Sequence, residues 1–300
     1  MACKIFYNQI GTIFLLVFSS CSQSQVPAFD QNRAFEYLQK QCAFGPRNPG
    51  SPGHQKCLRF LVGELEQMAD AVVEQPFLQT VHREEKSYQF TNVIASFGNQ
   101  GERVLLCAHW DTRPWADHDS DPKNRNKPVL GANDGASGVA VLLEIARILK
   151  QVPLPRGVDI VLFDGEDSGT EGRNESWCLG SRYFAQNKRS DYNPRYGILL
   201  DMIGDKDLYL PIERNSQKYA PELVHRVWTK AEELGLPAFD RFLGSEMIDD
   251  HLELLNVGIP VIDIIDFDYP YWHTLQDTED KCSPESLGII GTLLLHLIYE

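Results

Sequence analysis

Acidic and histidine side chains recur just past short apolar runs in this chain. His109 and Asp111 close the run Val104–His109. Asp134 sits in the loop Gly131-Ala132-Asn133-Asp134-Gly135, Glu166 and Asp167 follow Val158–Phe163, and Asp201 follows Gly197–Leu200. Asp249, Asp250 and His251 precede Pro260–Ile265, and His273 follows it. Apolar runs of this length that stop at polar residues read as buried strands. In open α/β sheets the C-terminal strand ends form the ligand crevice, so several carboxylates and up to three histidines should gather at one edge. Carboxylates a few ångströms apart raise each other's pKa, and a bound divalent cation removes that conflict. Mixed His and carboxylate donors suit zinc, whose catalytic form keeps three protein ligands and one open position. Singly, each residue has a plainer role: Asp134 as a helix cap, Asp167 as a loop charge, Asp201 in a turn. Their coincidence at strand ends is what points to chemistry.

The elements that must position these groups alternate between strand and helix. Residues 29–42 and 54–69 read as helices around the turn-rich stretch 45–53. Residues 73–80 and 88–97 could pair as strands. Val139, Val141, Leu142, Ile145, Ile148 and Leu149 give 138–150 a helical apolar face. A helix is expected near 249–256 and a last one at about 284–299. No repeat or long linker divides residues 31–300, so they are expected to form a single α/β domain with a mostly parallel sheet. At 43% apolar and 23% charged the 300-residue chain has the composition of a folded globule. Its 28 basic and 42 acidic residues leave a net charge of −14. That balance speaks against a nucleic-acid partner, which needs a Lys/Arg surface to neutralise phosphates.

Five ordered motifs carry a family resemblance: His109-Trp110-Asp111, Gly131-Ala132-Asn133-Asp134-Gly135-Ala136-Ser137-Gly138, Phe163-Asp164-Gly165-Glu166-Asp167, Leu200-Asp201-Met202 and Trp272-His273-Thr274. The chain resembles the zinc aminopeptidases often called M28, a superfamily that also contains glutaminyl-peptide cyclotransferases. The resemblance implies a three-layer α/β/α sandwich around a central mixed sheet. Glu166-Asp167, the doubled acid in Asp249-Asp250-His251, Trp272 directly before His273, and the stretches 109–115 and 177–182 resemble the bacterial cyclases more than the aminopeptidases. The resemblance then implies one zinc per chain, held by Asp134, Asp167 and His273. It implies Glu166 as the proton carrier, and Asp201 and Asp249 as a hydrogen-bonded carboxylate pair. Trp272, Ile248, Tyr269 and Trp177 would line the substrate pocket, and His109 would mark a vestigial second metal site. The implied substrates are peptides or proteins with N-terminal glutamine. The alternatives are an M28-type aminopeptidase or a non-catalytic peptide-binding relative. Arg113 reads as a surface charge without a role, and His54, His82, His118, His225 and His296 as structural or exposed.

Residues 1–20 read as a signal peptide: Lys4 precedes an apolar run ending in Val17-Phe18-Ser19-Ser20 before Cys21. This resembles a bacterial lipoprotein signal, with Cys21 the lipidated first residue and 21–30 a short tether. The run is too short to span a bilayer comfortably. A periplasmic or cell-envelope monomer, touching the membrane only through its lipid, is expected. Seven cysteines without a CxxC or Cys/His grouping give no cysteine zinc site. Export permits disulfides, but no pairing is assigned.

Overall fold

The computed structural model describes residues 26–98 and 101–300. The signal peptide and Cys21 lie outside the described residues. In chain order the helices are α1 (Gln31–Cys42), α2 (Pro52–Met68), α3 (Ala136–Gln151), α4 (Leu179–Asn187), α5 (Arg214–Tyr219), α6 (Pro221–Glu233), α7 (Asp250–Leu255) and α8 (Pro284–Tyr299). The strands are β1 (Ala71–Val81), β2 (Lys86–Phe97), β3 (Arg103–His109), β4 (Gly157–Phe163), β5 (Tyr196–Asp201), β6 (Leu210–Ile212), β7 (Phe239–Leu243) and β8 (Val261–Ile265).

Six strands form one mixed sheet in the order β1-β2-β4-β3-β5-β8, and β6 pairs with β7 beside it. β1–β2 and β2–β4 are antiparallel, whereas β4–β3, β3–β5 and β5–β8 are parallel. The parallel strands therefore end at the same edge. Alternate side chains of a strand face opposite ways, and each face here is buried. Val104, Leu106 and Ala108 of β3 join one core with α1, α2, α3 and α8. Leu105 and Cys107 join a second core with Phe184 of α4 and Leu254 of α7. That is the three-layer α/β/α sandwich.

Local chemistry sets the helix ends. Asp30 caps α1 by accepting from the N–H groups of Asn32 and Arg33, and Ser51 and Ser283 cap α2 and α8 ahead of prolines at N1. Residues 26–30, read above as tether, dock on the fold: Val26 and Phe29 pack against the large core. A Cβ on Gly291 of α8 would lie 2.2 Å from the Phe29 ring. α4, α5, α6 and the β6–β7 pair were not foreseen. The signal for α6 is present in Leu223, Val224, Val227, Trp228 and Ala231, its buried stripe at helical spacing. All five cysteines among the described residues are free and buried.

Candidate active site

Asp134, Asp167 and His273 converge from three loops at the C-terminal edge of the parallel strands, each offering a ligand atom within 4.8 Å of the others. His273 Nε2 is 3.0 Å from Asp167 Oδ1 and 3.7 Å from Asp134 Oδ2. Both carboxylate oxygens of Asp167 are buried with no hydrogen-bond partner, an arrangement that a cation would satisfy. Two carboxylates and one imidazole are also a donor set that zinc accepts, so the residues fit the metal. His109, Asp134 and Asp201 make a second cluster that shares Asp134. The His109 Nε2 atom lies 3.1 Å from Asp134 Oδ1 and 3.2 Å from Asp201 Oδ1.

Burial and mutual charge set the protonation of these groups. Burial pushes the His273 imidazole down to about 3, helped by Arg113, which leaves the neutral ring that ligates metals. Burial also works against charge on His109, but Asp111, Asp134 and Asp201 outweigh it and hold its pKa well above the ordinary imidazole value. Burial raises Glu166 well above the usual carboxylate range, with Asp167 and Asp249 adding to the shift. It raises Asp201 to about 7.

The turn that presents Glu166 and Asp167 is anchored by Asp111, whose oxygens accept their backbone N–H groups at 3.1 and 3.3 Å. Asp277 accepts from the N–H groups of Asn133 and Asp134 and from the Tyr269 hydroxyl, which fixes the Asp134 loop. Gly135 is required by close approach, because a Cβ there would sit 2.6 Å from the His109 ring. Three non-glycine residues of the site, Cys178, Met202 and His273, are left-handed, with φ of 56°, 47° and 53°. Such strained backbone persists only where the surroundings over-determine it. His118, read as structural or exposed, packs edge-on against Trp272, with ring centroids 4.5 Å apart.

Above the carboxylates lies a cleft of about 270 Å³. Trp177, Met202, Ile248, Ile265, Phe267 and Trp272 form its apolar walls, and Glu166, Asp201 and Asp249 reach its floor. The Trp272 ring stacks on His273 at 3.9 Å. Tyr269 does not line the cleft: it is 3% exposed and its hydroxyl is spent on Asp277 at 2.8 Å. Asp201 pairs with His109, whereas Asp249 groups with His251 and the fully buried Asp263. Asp263 was hidden in a run read as apolar strand. Asp134 does not cap α3, which begins after Gly135 with no side-chain capping bond. Arg113 is not a surface charge. It is 1% exposed, and it donates from Nη1 to the backbone oxygens of Asp167 and Gly169 and from Nη2 to Asp117.

Fold and site together define a class: an α/β/α enzyme with cation-fit His/carboxylate clusters at the C-terminal strand edge. The family model for Peptidase family M28 matches residues 92–298, and the chain belongs to that family. A glutaminyl-peptide cyclotransferase of Boiga irregularis is 26% identical over 290 residues, covering 85% of this chain and 77% of the snake protein. The crystal structure of Bacteroides thetaiotaomicron glutaminyl cyclase bound to N-acetylhistamine is 39% identical. It superposes with a TM-score of 0.88 over 92% of this chain and 99% of that one. A structure described as a leucine aminopeptidase precursor from the same organism is 40% identical, with a TM-score of 0.89 over the same shares.

Proposed function

We propose that this chain is a zinc-dependent glutaminyl-peptide cyclotransferase, converting N-terminal glutamine to pyroglutamate with release of ammonia. The observation that carries this is the likeness along 92% of the chain to the B. thetaiotaomicron cyclase, joined to a small apolar cleft closed by Trp272 over His273. Asp134, Asp167 and His273 would hold one zinc. When bound, the metal supplies Lewis-acid polarisation of the glutamine side-chain carbonyl. Trp272, Ile248 and Trp177 wall the space for that side chain and exclude water from it. The substrate's own α-amine is the nucleophile, so no Ser or Cys nucleophile is needed. Its nitrogen bonds to the side-chain amide carbon, the C–N bond to the amide nitrogen breaks, and ammonia leaves. Glu166 accepts the proton from the attacking amine and passes it to the departing nitrogen. Burial of Glu166, which raises its proton affinity, suits a carboxyl that must both take and give a proton. Asp201 and Asp249 stand on the cleft floor where the departing nitrogen can donate to them.

A second reading, a two-metal aminopeptidase, is favoured by the completeness of the His109–Asp134–Asp201 cluster. A second cation there would have to displace the proton that Asp111, Asp134 and Asp201 favour on His109. The deciding assay offers the purified protein a peptide beginning with glutamine. Ammonia released with loss of the free α-amine supports the cyclase; free amino acids released from varied peptides overturn it. Glu166→Gln should keep its zinc and lose about a hundredfold or more in turnover. The features of residues 1–21 support export and lipidation at Cys21, which would hold the protein in the cell envelope. Among the described residues, no helix is long and apolar enough to cross a membrane.

A further inference from the structure

We infer that Cys178 is a positioning residue for Glu166, its thiol holding one carboxylate oxygen while the rest of the group stays presented to the cleft. Cys178 is 2% exposed, and its Sγ donates to Glu166 Oε1 at 3.7 Å, within range for a thiol donor. Its backbone N–H donates to the Glu166 carbonyl at 3.0 Å, and the next N–H, of Leu179, donates to Gly165 at 3.2 Å. The cysteine thus grips the residue at both main chain and side chain. Its backbone is left-handed, with φ 56° and ψ 41°, and its side chain makes no capping bond at the start of α4. That conformation is strained for any residue but glycine. It turns the thiol away from the helix and toward Glu166. Asp249 completes the group, with ligand atoms of Glu166, Cys178 and Asp249 all within 4.8 Å.

The inference rests on the proposed role of Glu166 as proton carrier, and its test separates the two. In the zinc-loaded protein, Cys178→Ala should lower kcat by about five- to tenfold, the effect of one lost hydrogen bond. KM and zinc content should not move, and the melting temperature should fall only by the few degrees that one buried hydrogen bond is worth. Cys178→Ser, which keeps a donor on a shorter bond, should recover part of the loss. A merely structural cysteine would lower the melting temperature alone, leaving kcat at the wild-type value below the melting transition. An activity-independent arm reads the S–H infrared stretch of Cys178, isolated as the difference between wild type and Cys178→Ser. Replacing Glu166 with alanine should shift that band to the position of a free thiol. Wild-type kcat in Cys178→Ala, or a band unmoved by Glu166→Ala, overturns the inference. A wild-type protein that releases no ammonia overturns the cyclase reading instead, and the infrared arm still decides the contact.

Discussion

Replacing Arg113 with alanine tests whether a buried cation behind the site holds the metal-binding turn in place. The guanidinium donates from Nη1 to the Asp167 and Gly169 carbonyls at 2.8 and 2.9 Å. Nε and Nη2 reach the two Asp117 oxygens at 3.2 and 2.6 Å. Its plane lies 4.6 Å from the Trp177 ring and 5.2 Å from Trp115. Alanine leaves two carbonyls unpaired and Asp117 with only the longer ion pair to Arg83, at 3.5 Å. Breaking a buried ion pair from one side costs about 3–5 kcal/mol. The Asp117 side chain retains 20% exposure, so water softens the loss and the lower end, about 3 kcal/mol, is expected. At about 2–4 °C per kcal/mol that is a fall in Tm of about 6–12 °C. Freeing the Asp167 carbonyl should also weaken zinc binding by about tenfold, as for other groups that orient a ligand from behind. Arg113→Lys should fall between, keeping the charge but not the fork or the stacking plane. The sign with pH is fixed. Burial works to raise the Asp117 pKa, but Arg113 outweighs it and holds the carboxyl below its ordinary value. Wild type therefore has this stabilisation above the unfolded Asp pKa of about 4 and loses it as pH falls through the lower folded value. Arg113→Ala should lack that acid limb. Thermal unfolding across pH and competition for zinc with a chromophoric chelator measure both effects. A variant that melts with the wild type and holds zinc as tightly would refute the reasoning.

Trp272→Ala removes the ring stacked on His273 and should raise KM for a Gln-initiated peptide by about tenfold with a smaller change in kcat; steady-state kinetics on one peptide series decides it. Dialysis against a chelator should abolish turnover and zinc should restore it, with elemental analysis giving one metal per chain. Two tightly held zincs, both needed for activity, would sink the one-metal assignment. Burial raises Asp201, Asp266 and Asp277 each to about 7. Their folded forms keep protons that the unfolded chain sheds. The contribution of these three groups to the stability of the metal-free protein should thus be full below about pH 4 and decline as pH rises through about 7, which urea unfolding between about pH 5 and 8 will show.

Much of this molecule is legible in its sequence because its signals are local. Apolar runs such as Val104–His109 and Val158–Phe163 became the parallel strands β3 and β4, and the strand-end position of Asp134, Asp167 and His273 placed them at one edge. A strand's direction and length depend on its own residues, so the edge where its polar flank emerges follows from the run itself. What stayed hidden depends on which strands are neighbours. The order β1-β2-β4-β3-β5-β8 brings β5 beside β3, and with it Asp201 to His109, 92 residues earlier in the chain. Asp263 looked like one polar interruption in a core strand, yet the fold sets it beside Asp249 and His251. Arg113 looked like a surface charge because nothing near it in sequence shows that the Asp167 turn folds over it. Tyr269 neighbours a cleft residue in sequence, but its hydroxyl is drawn inward by Asp277. Periodicity and residue type alone determined the alternation of strands and helices and the acidic strand-end edge, while the three layers and the ligand set came from the family likeness. Only the tertiary structure decided which carboxylate faces which base, because burial and distance between remote segments, not spacing along the chain, set charge and proton position.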